Sequence, residues 1–425
     1  MRVVTPSGRG FLLLDSHPAG CERAVQDLAA TIAALPPVPG VPGVPGVPAV
    51  PDGGRERRPV ALVIGSSAGY GLAATVAGLV RYGITGLGIS FEKAPGRRTG
   101  TAGWYRTAAT ASVAAGAGSG FTFLNADAFA DATKDEAAAI LAGQYGPVDY
   151  LIYSVASPRR SDPDTGVTYS SVLKPLGEAA VTRTLAFAAD GEPALSETAI
   201  EPATPEEEAA TVAVMGGADW RRWVTALGAK GLLADGFRTV ALTYIGSELT
   251  APIYRSGTIG AAKKDLEATA SGITADLEAS GGRAWTSVNG AAVTQASTHI
   301  PGIALYTSLL RAVLGPALQS PAEQSARLWD QLTGHAEMDL DEAGRIRLDR
   351  WELDPGVQAE VTRRWHAATP ETIGELADLG WFRAQFRGLY GFDVPGVDYA
   401  AETETEVPWP GDPALRPVGV RSSRC

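Results

Sequence analysis

Two residues of this chain, Tyr254 and Lys263, could carry acid–base chemistry together, and they stand nine positions apart. On one continuous helix, nine residues turn the chain through about 900°, which would place the two side chains on opposite faces. Pro252 and Gly257 interrupt the segment. We therefore predict that Tyr254 lies on a loop ahead of a helix that carries Lys263.

Such a pair could supply a proton to a substrate oxygen. An ammonium beside a phenol favours the phenolate, which lowers the pKa of the tyrosine. The tyrosine can then donate a proton or a strong hydrogen bond to an oxygen that gains negative charge, and the lysine can hold a ribose. The competing interpretation, a buried core tyrosine and a solvated helix lysine, would be preferred for an arbitrary pair of these types.

A glycine-rich turn between an apolar run and an alanine-rich stretch is a candidate phosphate cradle. Its residues are Gly65, Ser66, Ser67, Ala68, Gly69, Tyr70 and Gly71. A dinucleotide pyrophosphate needs close backbone approach, which glycine permits, and it gains from the amides at a helix N-terminus. The Gly-x3-Gly-x-Gly spacing is typical of short-chain dehydrogenases. Glycines are common here, 50 in all, so the interpretation depends on the strand before the turn and the helix after it.

An acidic residue about twenty positions further on indicates which dinucleotide the cradle would take. Phe91-Glu92 ends the next predicted strand, and a carboxylate there can bind both adenosine ribose hydroxyls and repel a 2′-phosphate. This favours NAD(H), although Lys93, Arg97 and Arg98 lie nearby, and an exposed loop acid is the alternative. After the two following strands, Asp127-Ala128 could meet the adenine and Val155-Ala156 could border the nicotinamide.

Apolar strands alternating with helices must position these residues. We predict strands at Val60–Ile64, Leu87–Phe91, Gly120–Leu124, Asp149–Tyr153, Arg238–Tyr244 and Arg283–Val288, and helices at Leu72–Tyr82 and Ile259–Leu277. This alternation is typical of an α/β fold, a Rossmann-type doubly wound parallel sheet flanked by helices. Extra elements precede and follow it: a strand at Gly10–Leu14, a helix at Cys21–Ala34, and a mostly helical last hundred residues with a β-like segment at Asp339–Asp349.

The chain divides into one large domain and two less regular segments. Residues 1–400 form the predicted domain, with a Pro/Gly-rich surface insertion at 35–58 that contains Val-Pro-Gly repeats. Residues 401–425 are acidic and contain proline, which indicates a loosely ordered tail.

Composition excludes several function classes. A net charge of -11 argues against nucleic-acid and anionic-membrane partners, which need a basic surface. Two cysteines exclude a disulfide-stapled fold, and the four scattered histidines form no metal-binding pair. There is no long apolar run and no signal-peptide pattern, so we expect a cytoplasmic protein.

Many separated motifs resemble the bacterial trans-2-enoyl-CoA reductases and the FabV-type enoyl-acyl-carrier-protein reductases. In the Tyr/Lys segment they are Tyr244-Ile-Gly and Pro252-Ile-Tyr-Arg-x-Gly-Thr-Ile-Gly-x-Ala-Lys263, with Tyr-x8-Lys in place of the usual short-chain Tyr-x3-Lys. Elsewhere they include Arg9-Gly-Phe11, His17-Pro-Ala-Gly-Cys21, Gly65–Gly71, Phe91-Glu92, Thr99–Tyr105, Tyr153–Arg160, Met215–Trp220, Val293–Ser297, Gly344–Leu353 and Tyr390-Gly-Phe392. The likeness covers nearly the whole chain.

The resemblance implies a monomeric reductase that uses NADH, without metal or flavin, to saturate the 2,3 double bond of an enoyl-CoA or enoyl-acyl-carrier-protein substrate. It further implies that Tyr254 is the proton donor, that Lys263 holds the cofactor ribose, and that Tyr244 touches the thioester. Residues Ala292, Val293 and Thr294 would border the cofactor. A tyrosine aimed at the thioester oxygen would stabilise the enolate charge that develops in the transition state.

Two other functions remain open. A short-chain carbonyl reductase would reduce 3-ketoacyl or other ketones, although the Tyr-x8-Lys spacing disfavours it. A catalytically silent NAD(H)-sensing protein would bind the cofactor without turnover, although such proteins typically lose the tyrosine or the lysine.

Overall fold

The structure is a computed structural model that describes residues 1–36, 50–52, 55–187 and 192–411. Its strands are β1 (Gly8–Arg9), β2 (Leu12–Leu13), β3 (Val50–Asp52), β4 (Arg55–Arg57), β5 (Val60–Ile64), β6 (Thr85–Ser90), β7 (Phe121–Asn125), β8 (Val148–Tyr153), β9 (Arg159–Ser161), β10 (Thr168–Ser170), β11 (Ala180–Phe187), β12 (Pro193–Ile200), β13 (Leu233–Thr243), β14 (Arg283–Val288) and β15 (Ile346–Arg347). Its helices are α1 (Pro18–Ala34), α2 (Gly69–Tyr82), α3 (Ala102–Gly116), α4 (Asp131–Gln144), α5 (Pro205–Met215), α6 (Ala218–Ala229), α7 (Thr258–Asp276), α8 (Ile303–Leu314), α9 (Pro321–Leu332), α10 (Pro355–Ala367), α11 (Ile373–Leu376) and α12 (Leu379–Gly388).

A seven-stranded sheet with the order β15-β14-β13-β8-β5-β6-β7 forms the centre of the molecule. All of its neighbouring strands pair in parallel. Every residue of β5 is buried, as a strand covered on both faces requires. The predicted Rossmann-type doubly wound sheet is therefore confirmed, and the six predicted strands of this sheet lie within two residues of the observed ones except at the start of β13.

The strand order reverses direction between β5 and β8. From β5 the chain adds β6 and β7 on one side, and it then adds β8, β13 and β14 on the other. In sheets of this kind the helices that follow the two central strands diverge, so a crevice opens beyond the carboxyl ends of those strands. The loops after β5, β6, β7, β8, β13 and β14 all start at this edge, which carries most of the predicted site.

Two apolar clusters cover the two faces of the sheet, and a third lies beside them. One face packs against α1, α2, α3 and α9, with Trp329 and Ile32 fully buried. The other packs against α4, α6 and α7, with Trp220 and Trp223 fully buried. The third cluster joins α8, α10 and α12 to the hairpin β11–β12, and Tyr244 and Val293 pack against it. The C-terminal helices thus reach the loops after β13 and β14.

Some elements differ from the sequence expectation. The strand predicted at Gly10–Leu14 is the hairpin β1–β2, because the glycine at 10 adopts a positive φ of 55° and turns the chain. The hairpin β11–β12 was not predicted, since its alternating small polar residues give a weak strand pattern. Most of the Val-Pro-Gly insertion lies outside the described residues.

The first residues of the predicted tail pack against the body of the protein. Trp409 donates its indole N–H to the carbonyl of Phe123 at 2.9 Å, and Trp104 donates to Val407 at 2.7 Å. The tail also pairs with the N-terminus through a bridge between Arg2 and Thr403. Indole groups need an apolar contact and an acceptor, and both are provided here. Residues 412–425 are not described.

Candidate active site

The glycine-rich turn lies directly after β5 and leads into α2. Gly65 has a φ of 87°, and a Cβ there would lie 2.0 Å from the carbonyl oxygen of Ser154. The residue before the helix, Ala68, provides no side-chain cap, and the first turn of α2 contains no acidic residue. The first amides of α2 and its positive dipole end are therefore available to an anion, as a pyrophosphate cradle requires.

Glu92 lies against this turn, just beyond the end of β6. Its Oε1 accepts a hydrogen bond from the Ser67 hydroxyl at 2.5 Å, and its Oε2 accepts one from the Thr101 hydroxyl. The Asn125 side chain holds the backbone of Glu92 in place with two hydrogen bonds, of 2.7 and 3.0 Å. The carboxylate is thus fixed beside the cradle and is not a solvated loop acid. Phe91, by contrast, is 76% exposed and packs into no core.

The loop after β7 carries Asp127 and Ala128, and the lysine of a buried ion pair donates hydrogen bonds to its backbone. Asp127 uses one carboxylate oxygen to accept the amide of Phe129 at 2.9 Å, so part of its side chain shapes its own turn. The Lys134 ammonium donates to the carbonyls of Ala128 at 2.9 Å and Phe129 at 3.2 Å, and pairs with Asp219 at 2.8 Å. This loop therefore has a rigid support.

The loops after β8 and β14 lie close to the cradle. Val155 and Ala156 directly follow β8, where Val155 is half-buried and Ala156 is exposed. In the loop after β14, the carbonyl of Gly290 accepts a hydrogen bond from the Tyr70 hydroxyl of α2. The Thr294 methyl of the same loop lies 3.5 Å from the position that a Cβ on Gly69 would occupy. The predicted segment Ala292, Val293 and Thr294 is thus brought next to the start of α2.

Tyr254 lies on a turn that ends where α7 begins, as predicted. Its carbonyl accepts the amides of Gly257 at 3.1 Å and Gly260 at 2.9 Å, so the turn caps the helix. Arg255 ties the same turn to α7 through a two-pronged ion pair with Glu267, at 2.8 and 3.2 Å. These contacts fix Tyr254 relative to the helix that carries Lys263.

The residues Tyr254 and Lys263 are each 7% exposed. Neither has a hydrogen-bond or ion-pair partner among the described residues, so both are free for a ligand. Burial lowers the pKa of Lys263 to about 8. Burial also raises the pKa of Tyr254, with only the charge of Arg255 opposing it. The expected lowering by a nearby ammonium is therefore wrong for the protein without ligand, because desolvation of the phenolate dominates.

Tyr244 follows β13 and packs edge-on against Tyr254, with ring centroids 5.3 Å apart. Its hydroxyl donates to Oε1 of Glu352 at 2.8 Å, and the Tyr306 hydroxyl donates to the same oxygen at 2.8 Å. The other oxygen, Oε2, accepts the backbone amide of Ala291. Glu352 is fully buried, and burial raises its pKa to about 7, although these hydrogen bonds oppose the rise.

A continuous path of contacts therefore joins several of the predicted residues, although Lys263 and Glu92 do not lie on it. It runs from the start of α2 to Gly290 and Thr294, from the neighbouring Ala291 to Glu352, and from Glu352 through Tyr244 to Tyr254. Sequence reasoning missed Glu352 and Tyr306. Glu352 lies in the segment Gly344–Leu353, which resembles the family, but that segment is so rich in charged residues that the sequence does not show which of its carboxylates are buried.

Among the described residues, no helix is long and apolar enough to cross a membrane. In the same part of the chain, no group of three His, Cys, Asp or Glu side chains is arranged to hold a metal ion.

Three family models match consecutive parts of the chain. They are described as the NAD(P)H binding domain of trans-2-enoyl-CoA reductase (residues 3–97), the trans-2-enoyl-CoA reductase catalytic region (98–333) and the enoyl reductase FAD binding domain (340–403). The first contains the cradle and Glu92, and the second contains Tyr244, Tyr254 and Lys263.

The residues of the third segment do not fit a flavin dinucleotide. Its one strand, β15, has two residues and is followed by no glycine-rich turn that leads into a helix. Most of its arginines are paired with carboxylates, as in Arg347 with Asp349 at 2.7 Å, and Arg383 lies over the ring of Phe187. Aromatic side chains such as Phe382 are buried in the third apolar cluster. In this chain the segment is a structural layer that also carries Glu352.

Similar proteins cover almost the whole chain. An enoyl-[acyl-carrier-protein] reductase [NADH] of Streptomyces avermitilis is 60% identical over 407 residues, which are 95% of this chain and 99% of that protein. One from Burkholderia pseudomallei is 44% identical over 410 residues, 95% of this chain and 98% of that protein. The crystal structure of Treponema denticola trans-2-enoyl-CoA reductase in complex with NAD matches with a TM-score of 0.85 at 37% identity, covering 94% of this chain and 98% of that one. From its family models, its relatives and its fold, this chain belongs to the trans-2-enoyl-CoA reductase family.

Proposed function

We propose that this protein catalyses the NADH-dependent reduction of the 2,3 double bond of trans-2-enoyl thioesters, carried by coenzyme A or by acyl-carrier protein. The observation that carries the proposal is the contact path between the start of α2 and Tyr254, because it brings a dinucleotide cradle and a proton donor into one site. The names of the relatives agree with it.

The residues at the carboxyl edge of the sheet fit NADH. Residues Gly65–Gly71 would hold the pyrophosphate, Glu92 the adenosine ribose hydroxyls, and the Asp127-Ala128 loop the adenine. On the other side of the switch point, Lys263 would hold the nicotinamide ribose, bordered by Val155-Ala156 and by Ala292, Val293 and Thr294. When bound, NADH supplies the hydride that adds to C3 of the substrate. The carboxylate of Glu92 would repel the extra phosphate of NADPH.

Tyr254 would act on the thioester oxygen, which becomes negative when C3 is reduced. Burial raises the pKa of this phenol, so it keeps its proton at neutral pH and remains a donor. Its hydroxyl has no competing partner among the described residues, and a donor aimed at developing charge stabilises the transition state more than the ground state. Tyr244, packed against it, would contact the same thioester group.

We also propose that residues 1–400 act as one catalytic domain and that the protein works as a cytoplasmic monomer without nucleic-acid or membrane partners. The third apolar cluster supports a single domain, because it packs the C-terminal helices against the loops after β13 and β14. The net charge of -11 supports the absence of nucleic-acid and anionic-membrane partners.

The test is the loss of reduced-nicotinamide absorbance with crotonyl-CoA and crotonyl-acyl-carrier protein, with NADH and NADPH compared. We expect NADH-dependent turnover that Tyr254→Phe lowers by about 10²–10³-fold, with an unchanged melting temperature. Activity unaffected by Tyr254→Phe would refute the role of Tyr254. Turnover of 3-ketoacyl thioesters alone would identify a carbonyl reductase, and tight NADH binding without any turnover would identify a sensor.

A further inference from the structure

A fully buried carboxylate, Glu352, contacts Tyr244, and the proposed reaction leaves it without a role. Within the described part of the chain, its carboxylate has three hydrogen-bond donors: the hydroxyls of Tyr244 and Tyr306, each at 2.8 Å, and the amide of Ala291. All three are neutral donors, and no described lysine, arginine or histidine forms a salt bridge with it. A carboxylate buried away from cations is costly, so its retention beside the substrate tyrosine calls for a functional reason.

The protonation state of Glu352 decides which acceptor the Tyr244 hydroxyl proton can face. A tyrosine hydroxyl has one proton to donate. While Glu352 is ionised it can only accept, so the Tyr244 proton points at Oε1 and cannot point at a ligand. Tyr306 also points at Oε1, and its own oxygen accepts from the Gln358 amide at 3.1 Å. When Oε1 carries a proton, it can donate to Tyr244, whose own proton is then released. Oε2 can keep the Ala291 amide in both forms.

We propose that Glu352 is a positioning residue that sets the direction of the Tyr244 hydrogen bond: neutral Glu352 donates to Tyr244, and Tyr244 then donates to the thioester carbonyl oxygen of the substrate. The inference rests on the proposed function and deepens it. No bond is broken in this step, because Glu352 and Tyr244 each keep their own proton and change only the acceptor that it faces. The ionised form holds Tyr244 in the unproductive direction.

The surroundings of Glu352 allow both forms near neutral pH. The titratable and charged groups that face it are Tyr244 from the loop after β13, Tyr306 from α8, Tyr70 from α2, and Asp349 with its partner Arg347 from its own segment. Burial raises its pKa to about 7, and the charge of Asp349 adds to the rise. The tyrosines keep their protons, since burial raises the pKa of all three.

The test compares kcat/KM for crotonyl-CoA at pH 6 and pH 8, with saturating NADH, in four proteins: wild type, Glu352→Gln, Tyr244→Phe and the double variant. Glutamine keeps the two contacts of the neutral acid that the inference uses, because its oxygen can accept from Ala291 while its nitrogen donates to Tyr244; the nitrogen cannot accept from Tyr306, whose proton loses this acceptor. An acid with a pKa of about 7 passes from about nine-tenths to about one-tenth protonated over this range. We therefore expect kcat/KM to fall about tenfold more in wild type than in Glu352→Gln when the pH rises from 6 to 8. In the Tyr244→Phe background, the Glu352→Gln substitution should have no further effect on this loss.

A matched control and two outcomes make the test decisive. Tyr82→Phe removes a different tyrosine–carboxylate hydrogen bond, to Asp330 on α9, and should keep the wild-type pH profile. The inference would be overturned if the pH dependence of kcat/KM were the same in Glu352→Gln and wild type. It would also be overturned if Glu352→Gln changed that pH dependence equally with and without the Tyr244 hydroxyl. Either result would indicate a merely structural role for Glu352. If Glu352→Gln does not fold, Tyr244→Phe tests the inference alone. Its kcat/KM should then fall about tenfold less between pH 6 and pH 8 than that of wild type. Wild type without turnover at pH 6 would instead refute the proposed function.

Discussion

Replacing Lys134 by methionine should destabilise the protein and weaken its binding of NADH. The Lys134 and Asp219 side chains are 3% and 1% exposed and pair at 2.8 Å. Methionine retains much of the apolar stem but removes the charge. Among the described residues, Asp219 would then keep one side-chain hydrogen-bond donor, the hydroxyl of Tyr153 at 3.1 Å. The carbonyls of Ala128 and Phe129 would also lose the ammonium that holds their loop.

The magnitude follows from these contacts. Removing one partner of a buried ion pair costs about 3–5 kcal/mol of unfolding free energy, because the other charge stays buried. Asp219 can reduce this cost by taking up a proton, since burial already raises its pKa and the lysine is the main opposing charge. We therefore expect a loss of about 3 kcal/mol, at the lower end of that range. NADH affinity should fall as well, because the loop that would border the adenine loses two hydrogen bonds.

Urea denaturation followed by tryptophan fluorescence would measure the stability change, and fluorescence titration would measure NADH binding. The matched control is Lys174→Met, which breaks an ion pair with Glu207 of similar length, 2.6 Å, but with side chains 32% and 30% exposed. Such exposed pairs contribute about 0–1 kcal/mol. The reasoning would be refuted if Lys134→Met lost less than about 1 kcal/mol, or no more than Lys174→Met.

Three further predictions concern the site. Glu92→Ala should raise kcat/KM with NADPH relative to NADH by about tenfold, because a carboxylate that repels the 2′-phosphate is removed; an unchanged cofactor ratio in steady-state kinetics would contradict this. NADH affinity should fall as pH rises through about 8, where Lys263 loses its charge, and Lys263→Arg should remove that fall in a pH series of fluorescence titrations. The fold raises the pKa of Glu352 from 4.5 to about 7 and so favours its neutral form; the resulting stability, about 3 kcal/mol at most, is present below pH 4.5 and lost as pH rises through 7. The melting temperature of Glu352→Gln relative to wild type should therefore increase between pH 5 and pH 8, and a constant difference would count against a buried titrating carboxylate.

Much of the fold could be predicted because its signals are local. The apolar run of β5, the glycine turn and the following helix lie within about twenty consecutive residues, and a parallel strand buried on both faces needs such a run. The break between Tyr254 and α7 was also predictable, because Pro252 and Gly257 oppose a continuous helix. The hairpin β11–β12 was not, since its stability depends on packing against α8 and not on its own pattern.

The sequence by itself was enough to predict the α/β class, a candidate cradle, an acid that would favour NAD(H), and a candidate tyrosine and lysine, because each prediction depends on residue types at short spacing. Only the tertiary structure decided the electrostatics of the site. Glu352 lies 108 positions from Tyr244 along the chain, yet the two share a hydrogen bond. Burial then raises the pKa of both and also that of Tyr254, the reverse of what proximity to an ammonium predicted. Desolvation depends on everything packed around a group, so no local pattern in the sequence contains it.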